Sequence, residues 1–308
     1  MTINNQTEIT NILLLGFQNL HNLRSLLFIA ILIIYIISIT GNIVIISLIS
    51  THRQLHTPMY TFLGLLSSSE IISTTNIVPN MLVVIAADGS MLPFTACLSQ
   101  FYIFSALTNT ECFLLTVMSY DRYLAICHPL RYNSIMNFKL CLHLIIWSWV
   151  LGFIITLIIL VNLVSTVKFC GPNTMNHFFC DLAPILNLSC SDTFIVEIQA
   201  LLFSVPVIIM PFIFIIATYI FIAFTIMRIT STTGRKKTFS TCSSHLSTVC
   251  TYYGTLISVY LVPSKENSPN VKVVSLLYVI VTPLLNPIVY SFRNQDIRTA
   301  LTKCIHKS

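Results

Sequence analysis

Seven stretches of nearly unbroken apolar sequence, at about 26–50, 58–84, 98–127, 140–163, 195–227, 238–262 and 271–291, constrain this chain more than any other feature. Each reaches the roughly 20 residues that a helix needs to cross a bilayer core. Charged residues make up only 8% of the 308, against 55% hydrophobic, too few to coat a water-soluble domain of this length. The runs are continuous, whereas barrel strands would alternate lipid-facing and lumen-facing residues over about ten positions. The expectation is an all-α membrane protein in a lipid bilayer, with residues 1–308 forming a single seven-helix domain.

Basic residues orient it. The connections after spans 1, 3 and 5 and the tail carry Arg53, Arg122, Arg131, Lys139, Arg228, Arg235, Lys236, Lys237, Arg293, Arg298, Lys303 and Lys307. Only Arg24, Lys168, Lys265 and Lys272 fall on the opposite side, so residues 1–25 are outside and the 292–308 tail is cytoplasmic. The net charge of +6 is therefore topological and implies no nucleic-acid partner. The residues before Leu26 are polar and lack the ordered parts of a cleavable leader, so the first helix is expected to direct insertion. Asn5-Gln6-Thr7 and Asn187-Leu188-Ser189 are sequons on the outer side, with Asn5, in a polar leader, the better glycosylation site.

Cys97, Cys170, Cys180 and Cys190 also lie outside, where disulfides persist. The other six cysteines sit in helices or inside, as small packing residues or, for Cys304, as an acylation candidate. One outer loop, roughly Val164 to Thr193, is long enough to cover the bundle, and it carries Asp181 and Asp192. Prolines such as Pro79, Pro206, Pro211, Pro283 and Pro287 free backbone carbonyls inside the helices. Pro287 is favoured as a hinge because Asn286, Tyr290 and Asn294 supply polar partners around it.

At the inner end of span 3, the segment Met118-Ser-Tyr-Asp-Arg-Tyr-Leu-Ala-Ile-Cys-His-Pro-Leu-Arg-Tyr132 sets the Asp121/Arg122 pair beside a basic turn. An arginine there stays ionised only by pairing or by reaching interfacial water. Asp121-Arg122-Tyr123 together with Asn286-Pro287-Ile288-Val289-Tyr290 on span 7 resembles the rhodopsin-type G-protein-coupled receptors. Leu55-His-Thr-Pro-Met-Tyr60, the Met118–Tyr132 segment, Lys237-Thr-Phe-Ser-Thr-Cys-Ser-Ser-His-Leu246 and Pro283-Leu-Leu-Asn-Pro-Ile-Val-Tyr-Ser-Phe-Arg-Asn294 are similar to the motifs of vertebrate odorant receptors, in order, and nearer the tetrapod-type class. Glu70, Ser119 and Thr238 depart from the family's usual Asp, Ala and Ala, keeping charge or size.

The resemblance implies a seven-helix fold with a disulfide-bonded second outer loop and a short amphipathic cytoplasmic helix at the C-terminus. It implies an odorant receptor of the plasma membrane, in olfactory sensory neuron cilia, that activates a stimulatory, olfactory-type heterotrimeric G protein and raises cyclic AMP. It pairs Cys97 with Cys180, which would leave Cys170 to Cys190, with Cys97–Cys190 the runner-up. Arg122, released from Asp121, would offer donors to the G protein in the cleft opened by span 6. Tyr219, Tyr290 and His245 would complete the switch with Asn286 and Pro287. His245 lies eight residues, about 12 Å, from Tyr253 toward the cytoplasm, near the level of Arg122.

Glu70 lies about 18 Å from the inner end of span 2, and Glu111 about 16 Å above Arg122. Two carboxylates at one depth must share a proton or bind a cation. With Asn42, Ser73 and Asn286 as neighbours, oxygen-only ligation fits a hard ion, Na+, and the family's inactive-state sodium site is the expectation; no other cofactor is implied.

Small apolar ligands require burial in a hydrophobic cavity with one or two polar anchors. Carried over by motif position, its lining is Phe104, Ser105, Thr108 and Asn109 on span 3, Phe203 and Val207 on span 5, Tyr253, Leu256, Ile257 and Tyr260 on span 6, and Val279 on span 7. No lysine or deep aspartate is expected to face it, which favours a neutral alcohol, aldehyde, ketone or ester over an amine or an acid. An enzyme is disfavoured because no catalytic or metal-binding motif falls on a span. A transporter, with Glu70 and Glu111 as a relay, lacks inverted repeats. An odorant-type receptor for a metabolite outside olfactory tissue is the alternative within the class.

Overall fold

The computed structural model describes residues 10–17, 23–170, 173–228, 231–260 and 269–305, and helices dominate it. Asn5, Lys265 and Lys307 lie outside the described residues. In chain order the helices are α1 (Arg24–Thr51), α2 (Pro58–Ala87), α3 (Phe94–Cys127), α4 (Pro129–Ile135), α5 (Phe138–Thr166), α6 (Leu182–Leu186), α7 (Phe194–Ser204), α8 (Met210–Met227), α9 (Thr232–Tyr260), α10 (Pro269–Arg293) and α11 (Gln295–Ile305). The fifth span is α7 and α8 joined through a π-helical turn at Val205–Ile209. Pro206 lies in that turn, where its missing N–H and its ring disturb the regular ladder.

Local chemistry sets the boundaries. Pro58 opens α2 at a position whose N–H would be unpaired anyway, and Asn137 caps α5 by accepting from the Leu140 amide at 2.9 Å. Asn294 caps α11 by accepting from the amides of Asp296 and Ile297 at 3.0 and 3.2 Å. Ile297 and Ala300 of α11 are buried while Asp296, Arg298 and Lys303 are exposed, which makes this inner helix amphipathic.

Among the described residues, six helical stretches are long and apolar enough to cross a membrane on composition alone: α1, α2, α3, α5, the joined α7–α8, and Lys272–Ser291 of α10. The seventh crossing, α9, is less apolar than the 238–262 stretch suggested, because its inner half is rich in Ser, Thr and Lys. Three of its polar side chains, Ser244, His245 and Thr248, are buried against the bundle instead of facing lipid. Outward-facing residues on the other spans, among them Ile29, Ile33, Ile154, Leu201 and Phe221, are large, apolar and exposed, as a lipid-solvated surface requires.

Two glycines bring helices close together. A Cβ on Gly41 would lie 2.9 Å from the Pro287 ring, and one on Gly152 would lie 2.9 Å from the Ala106 carbonyl oxygen. Gly152 thus lets α5 lie against α3 at the level where the interior opens into a cavity.

The outer face carries a small sheet that hydropathy did not signal. Its strands run β2–β1–β3: β1 (Asn11–Leu14) pairs antiparallel with β2 (Ser90–Pro93) and parallel with β3 (Thr174–Met175). The register Leu13↔Met91 and Leu13↔Thr174 turns Ile12 and Leu14 inward onto Val84, Cys97, Phe101 and Cys180. Disulfides join Cys97 to Cys180 and Cys170 to Cys190, with Cα–Cα separations of 5.4 and 5.7 Å.

Candidate functional site

Side chains of α3, α5, α6, the α7–α8 helix and Leu256 of α9 line a cavity of about 400 Å³ in the outer half of the bundle. Of the residues expected there, Ser105, Thr108, Asn109, Phe203, Val207 and Leu256 line it. The Thr108 hydroxyl lies 3.0 Å from that of Tyr278, and the Asn109 amide donates to Thr156 Oγ1 at 3.0 Å. Ser105, Thr108, Asn109 and Thr156 supply uncharged polar groups on the wall formed by α3 and α5, while Ile155, Ile159, Phe203 and Val207 supply apolar surface.

Other expected residues stand elsewhere. Phe104 packs edge-on against Phe179 and Tyr278, at ring separations of 5.3 and 5.8 Å. Tyr253 leans on Phe212 at 5.0 Å and donates to the Cys112 carbonyl at 3.5 Å. Val279 is buried in the main core, Ile257 is not part of this lining, and the Tyr260 side chain lies outside the described residues. The physical reason is bulk: Tyr252, Tyr253 and Tyr278 fill the space between α3, α9 and α10, so the cavity shifts toward the fourth span. Ile155, Thr156 and Ile159 of that span were absent from the sequence reading.

The expectation that no deep aspartate faces the cavity also needs correction. Asp181 and Glu197 both belong to its lining. Asp181 is 7% exposed and caps α6 by accepting from the Leu182 amide at 2.8 Å; Glu197 is exposed and accepts from the Thr193 hydroxyl at 2.5 Å.

At the inner end, Asp121 is fully buried and holds two partners. Its Oδ2 accepts from Arg122, with Nε at 2.9 Å and a closer Nη2 contact, and its Oδ1 accepts from the Tyr132 hydroxyl at 2.8 Å. Tyr132 comes from α4, outside the membrane, where burial and then the Asp121 charge raise its pKa, so the phenol remains a donor. Tyr132 closes the Met118–Tyr132 motif eleven residues after Asp121, and nothing in the motif's spacing signals this contact. Arg122 also lines an inner cavity of about 400 Å³ with Tyr60, Thr238, Cys242 and Asp296. The Tyr219 hydroxyl, which reaches the carbonyl of Cys242 at 3.4 Å, lies 2.6 Å from His245 Nδ1, and the two rings stack at 5.8 Å. Tyr123 turns away toward His128 and Phe221.

A ligand-sized cavity outside, a restrained arginine inside and seven crossing helices between them describe a transmembrane signalling receptor. Residues 31–308 match the family described as "Olfactory receptor". Human olfactory receptor 11L1 is 46% identical over 304 residues, covering 98% of this chain and 94% of that protein. Human olfactory receptor 10T2 is 44% identical, covering 98% of this chain and 96% of its own length, and rat olfactory receptor 1468 is 42% identical over 100% of this chain and 98% of its own. The chain belongs to the olfactory receptor family. It is an odorant-binding, G-protein-coupled receptor of a membrane, in a family of receptors rather than of enzymes.

Midway through this olfactory receptor sit the two acids. Glu70 and Glu111 are both buried. Glu70 accepts a close hydrogen bond from the Asn286 amide, and Glu111 accepts from Ser69 at 2.9 Å. Ser69, not Ser73, is thus the serine partner; the two stand four residues, about 6 Å, apart along nearly one face of α2, and helical spacing alone does not choose between successive turns. Asn42 donates to the Pro283 carbonyl at 3.2 Å, tying α1 to the proline-containing part of α10. Tyr290 is fully buried and Asn294 accepts from Tyr60 at 3.1 Å, so the polar groups around Pro287 connect α10 to α2 and α11.

Proposed function

We propose that the receptor holds small, mostly neutral volatile ligands in the cavity between α3, α5 and α7–α8. The observation that carries this reading is its lining: apolar surface with Ser105, Thr108, Asn109 and Thr156 as hydroxyl and amide anchors, and no basic residue among the described ones. An alcohol, aldehyde, ketone or ester can exchange hydrogen bonds with these groups while burying its hydrocarbon part. Asp181 and Glu197 repel a carboxylate ligand, and Asp181 is already engaged by the α6 amide.

In this reading the signal leaves through Arg122. Ligand binding favours the state in which Arg122 parts from Asp121, with Tyr219, His245, Asn286, Pro287 and Tyr290 transmitting the rearrangement, and a stimulatory, olfactory-type heterotrimeric G protein binds the inner cavity and raises cyclic AMP. Glu70 and Glu111 hold Na+ in the resting state. Plasma membrane of olfactory sensory neuron cilia is the proposed location, and Asn5 the proposed glycosylation site.

The test is a panel of alcohols, ketones, esters, amines and carboxylic acids matched in carbon number, applied to cells expressing the receptor with an olfactory-type G protein. Neutral members raise cyclic AMP at the lowest concentrations. A carboxylic acid acting at lower concentration than its matched ester and alcohol would overturn the reading.

A further inference from the structure

We infer that odorants reach the cavity sideways, from the outer leaflet of the bilayer, through a seam between α5 and α7 that is latched by Asn162 and Gln199. This rests on the odorant reading of that cavity, and two independent observations carry it.

One is where the described residues cover the bundle and where they do not. Over α2, α3 and α10 the outer face is roofed by the β2–β1–β3 sheet and by Phe178 and Phe179, which are 0% and 1% exposed. Phe17 stacks on Phe178 at 5.3 Å. Lys272 straps the roof down, donating to the Gly16 carbonyl at 2.5 Å and to Asn176 Oδ1 at 2.6 Å. The cavity instead has surface residues in its side wall. Leu201, part of the lining, is 58% exposed and lies seven residues into the fifth span, about 10 Å below its outer end, at a depth occupied by lipid.

The other is the polar contact at the seam. Asn162 Nδ2 donates to Gln199 Oε1 at 2.7 Å, joining α5 to α7. Asn162 stands one turn outward of Ile159, and Gln199 immediately precedes Ala200 and Leu201, so the bond borders the cavity without being part of its lining. In hydrocarbon such a bond favours the closed seam by a factor of only about 3–20. It is therefore strong enough to keep the seam shut on average and weak enough to open. The occupant fits this route, since an apolar odorant is enriched in the bilayer by about fourfold per CH₂ group.

An access route changes how fast a ligand arrives and leaves, in equal proportion, and leaves its equilibrium potency alone. Replacing the latch with apolar residues of similar size, Asn162→Leu with Gln199→Met, should speed both the onset and the washout of an odorant-evoked response by about 3–20-fold with potency unchanged. The second arm uses Asn162→Cys with Gln199→Cys, bridged by a short, reducible bis-methanethiosulfonate in membranes. Bridging before odorant should slow onset, whereas bridging after odorant should trap it, so that signalling outlasts washout until a reductant is added. Each single-cysteine receptor, treated with the same reagent, cannot be bridged and has lost the latch, so it should show no trapping and wash out at least as fast as the wild type. Normal washout from the bridged, preloaded receptor would overturn the lateral route and point to access from the aqueous face. A wild-type receptor silent to every odorant would fail the odorant reading itself, a different result from a responding receptor with unaltered kinetics.

Discussion

Asp121→Asn isolates the restraint on Arg122. The native carboxylate is fully buried, accepts two hydrogen bonds from a guanidinium that is itself only 15% exposed, and accepts a third from Tyr132. Asparagine keeps nearly the same shape and one acceptor oxygen, removes the charge and puts a donor amide in place of the other oxygen. A hydrogen bond to an ionised partner contributes about 1.5–3 kcal/mol and a neutral one about 0.5–1.5, so weakening even one of the three bonds costs the resting state roughly 1–2 kcal/mol, taken as the minimum effect. The arginine in the active state has left this partner and loses little. The resting-to-active ratio then falls about 5–30-fold. A receptor that rests near 1% active would rise to roughly 5–20%. The assay is cyclic AMP without odorant, divided by receptor at the cell surface, so that poorer delivery does not imitate poorer signalling. Unchanged basal signal per receptor, with the odorant response intact, would mean that the pair is a static anchor and that the switch lies elsewhere.

Three further outcomes follow from the same geometry. His245→Ala removes the 2.6 Å contact with Tyr219 and should change basal or odorant-driven cyclic AMP; if both stay at wild-type levels, His245 only fills space. Glu111→Gln should abolish any dependence of basal signalling on sodium concentration, and a sodium titration identical in the two proteins would argue against the ion site. In the outer loop, His177 is buried, and burial lowers its pKa from 6.5 to about 4, with the Lys272 charge adding to the effect. The unfolded loop therefore binds a proton that the folded one excludes, so stability present at neutral pH declines as pH falls from about 6.5 to about 4. His177→Phe should flatten that decline in thermal-shift measurements on purified receptor, and an equally steep decline in the variant would refute it.

The helices and their orientation were legible because apolar runs and the lysine and arginine bias are one-dimensional properties. The motif around Arg122 was legible too, since its residues are consecutive. What escaped depends on how helices meet. Ile155, Thr156 and Ile159 join the cavity because Gly152 lets α5 rest on Ala106 and Thr110, a contact between residues more than forty positions apart. Phe104 and Val279 look like lining by position, yet the Tyr252, Tyr253 and Tyr278 rings fill the space they would share. Strand β1 is four residues long and half-buried, too short for its alternation to stand out from a polar leader. Asp181 reaches the cavity because the Cys97–Cys180 bond draws its neighbour down to the outer end of α3.

The central claim is that an odorant acts from the cavity walled by α3, α5 and α7–α8. It is tested most directly by Ser105→Trp, which fills that cavity from a position partly open to it, made in the Asp121→Asn background. Raised basal cyclic AMP in that background reports a folded, coupling-competent receptor without any ligand. The double variant should keep that basal signal and lose the odorant-evoked increment across the full concentration range. An unshifted odorant concentration–response curve in the double variant would place the ligand elsewhere and contradict the account.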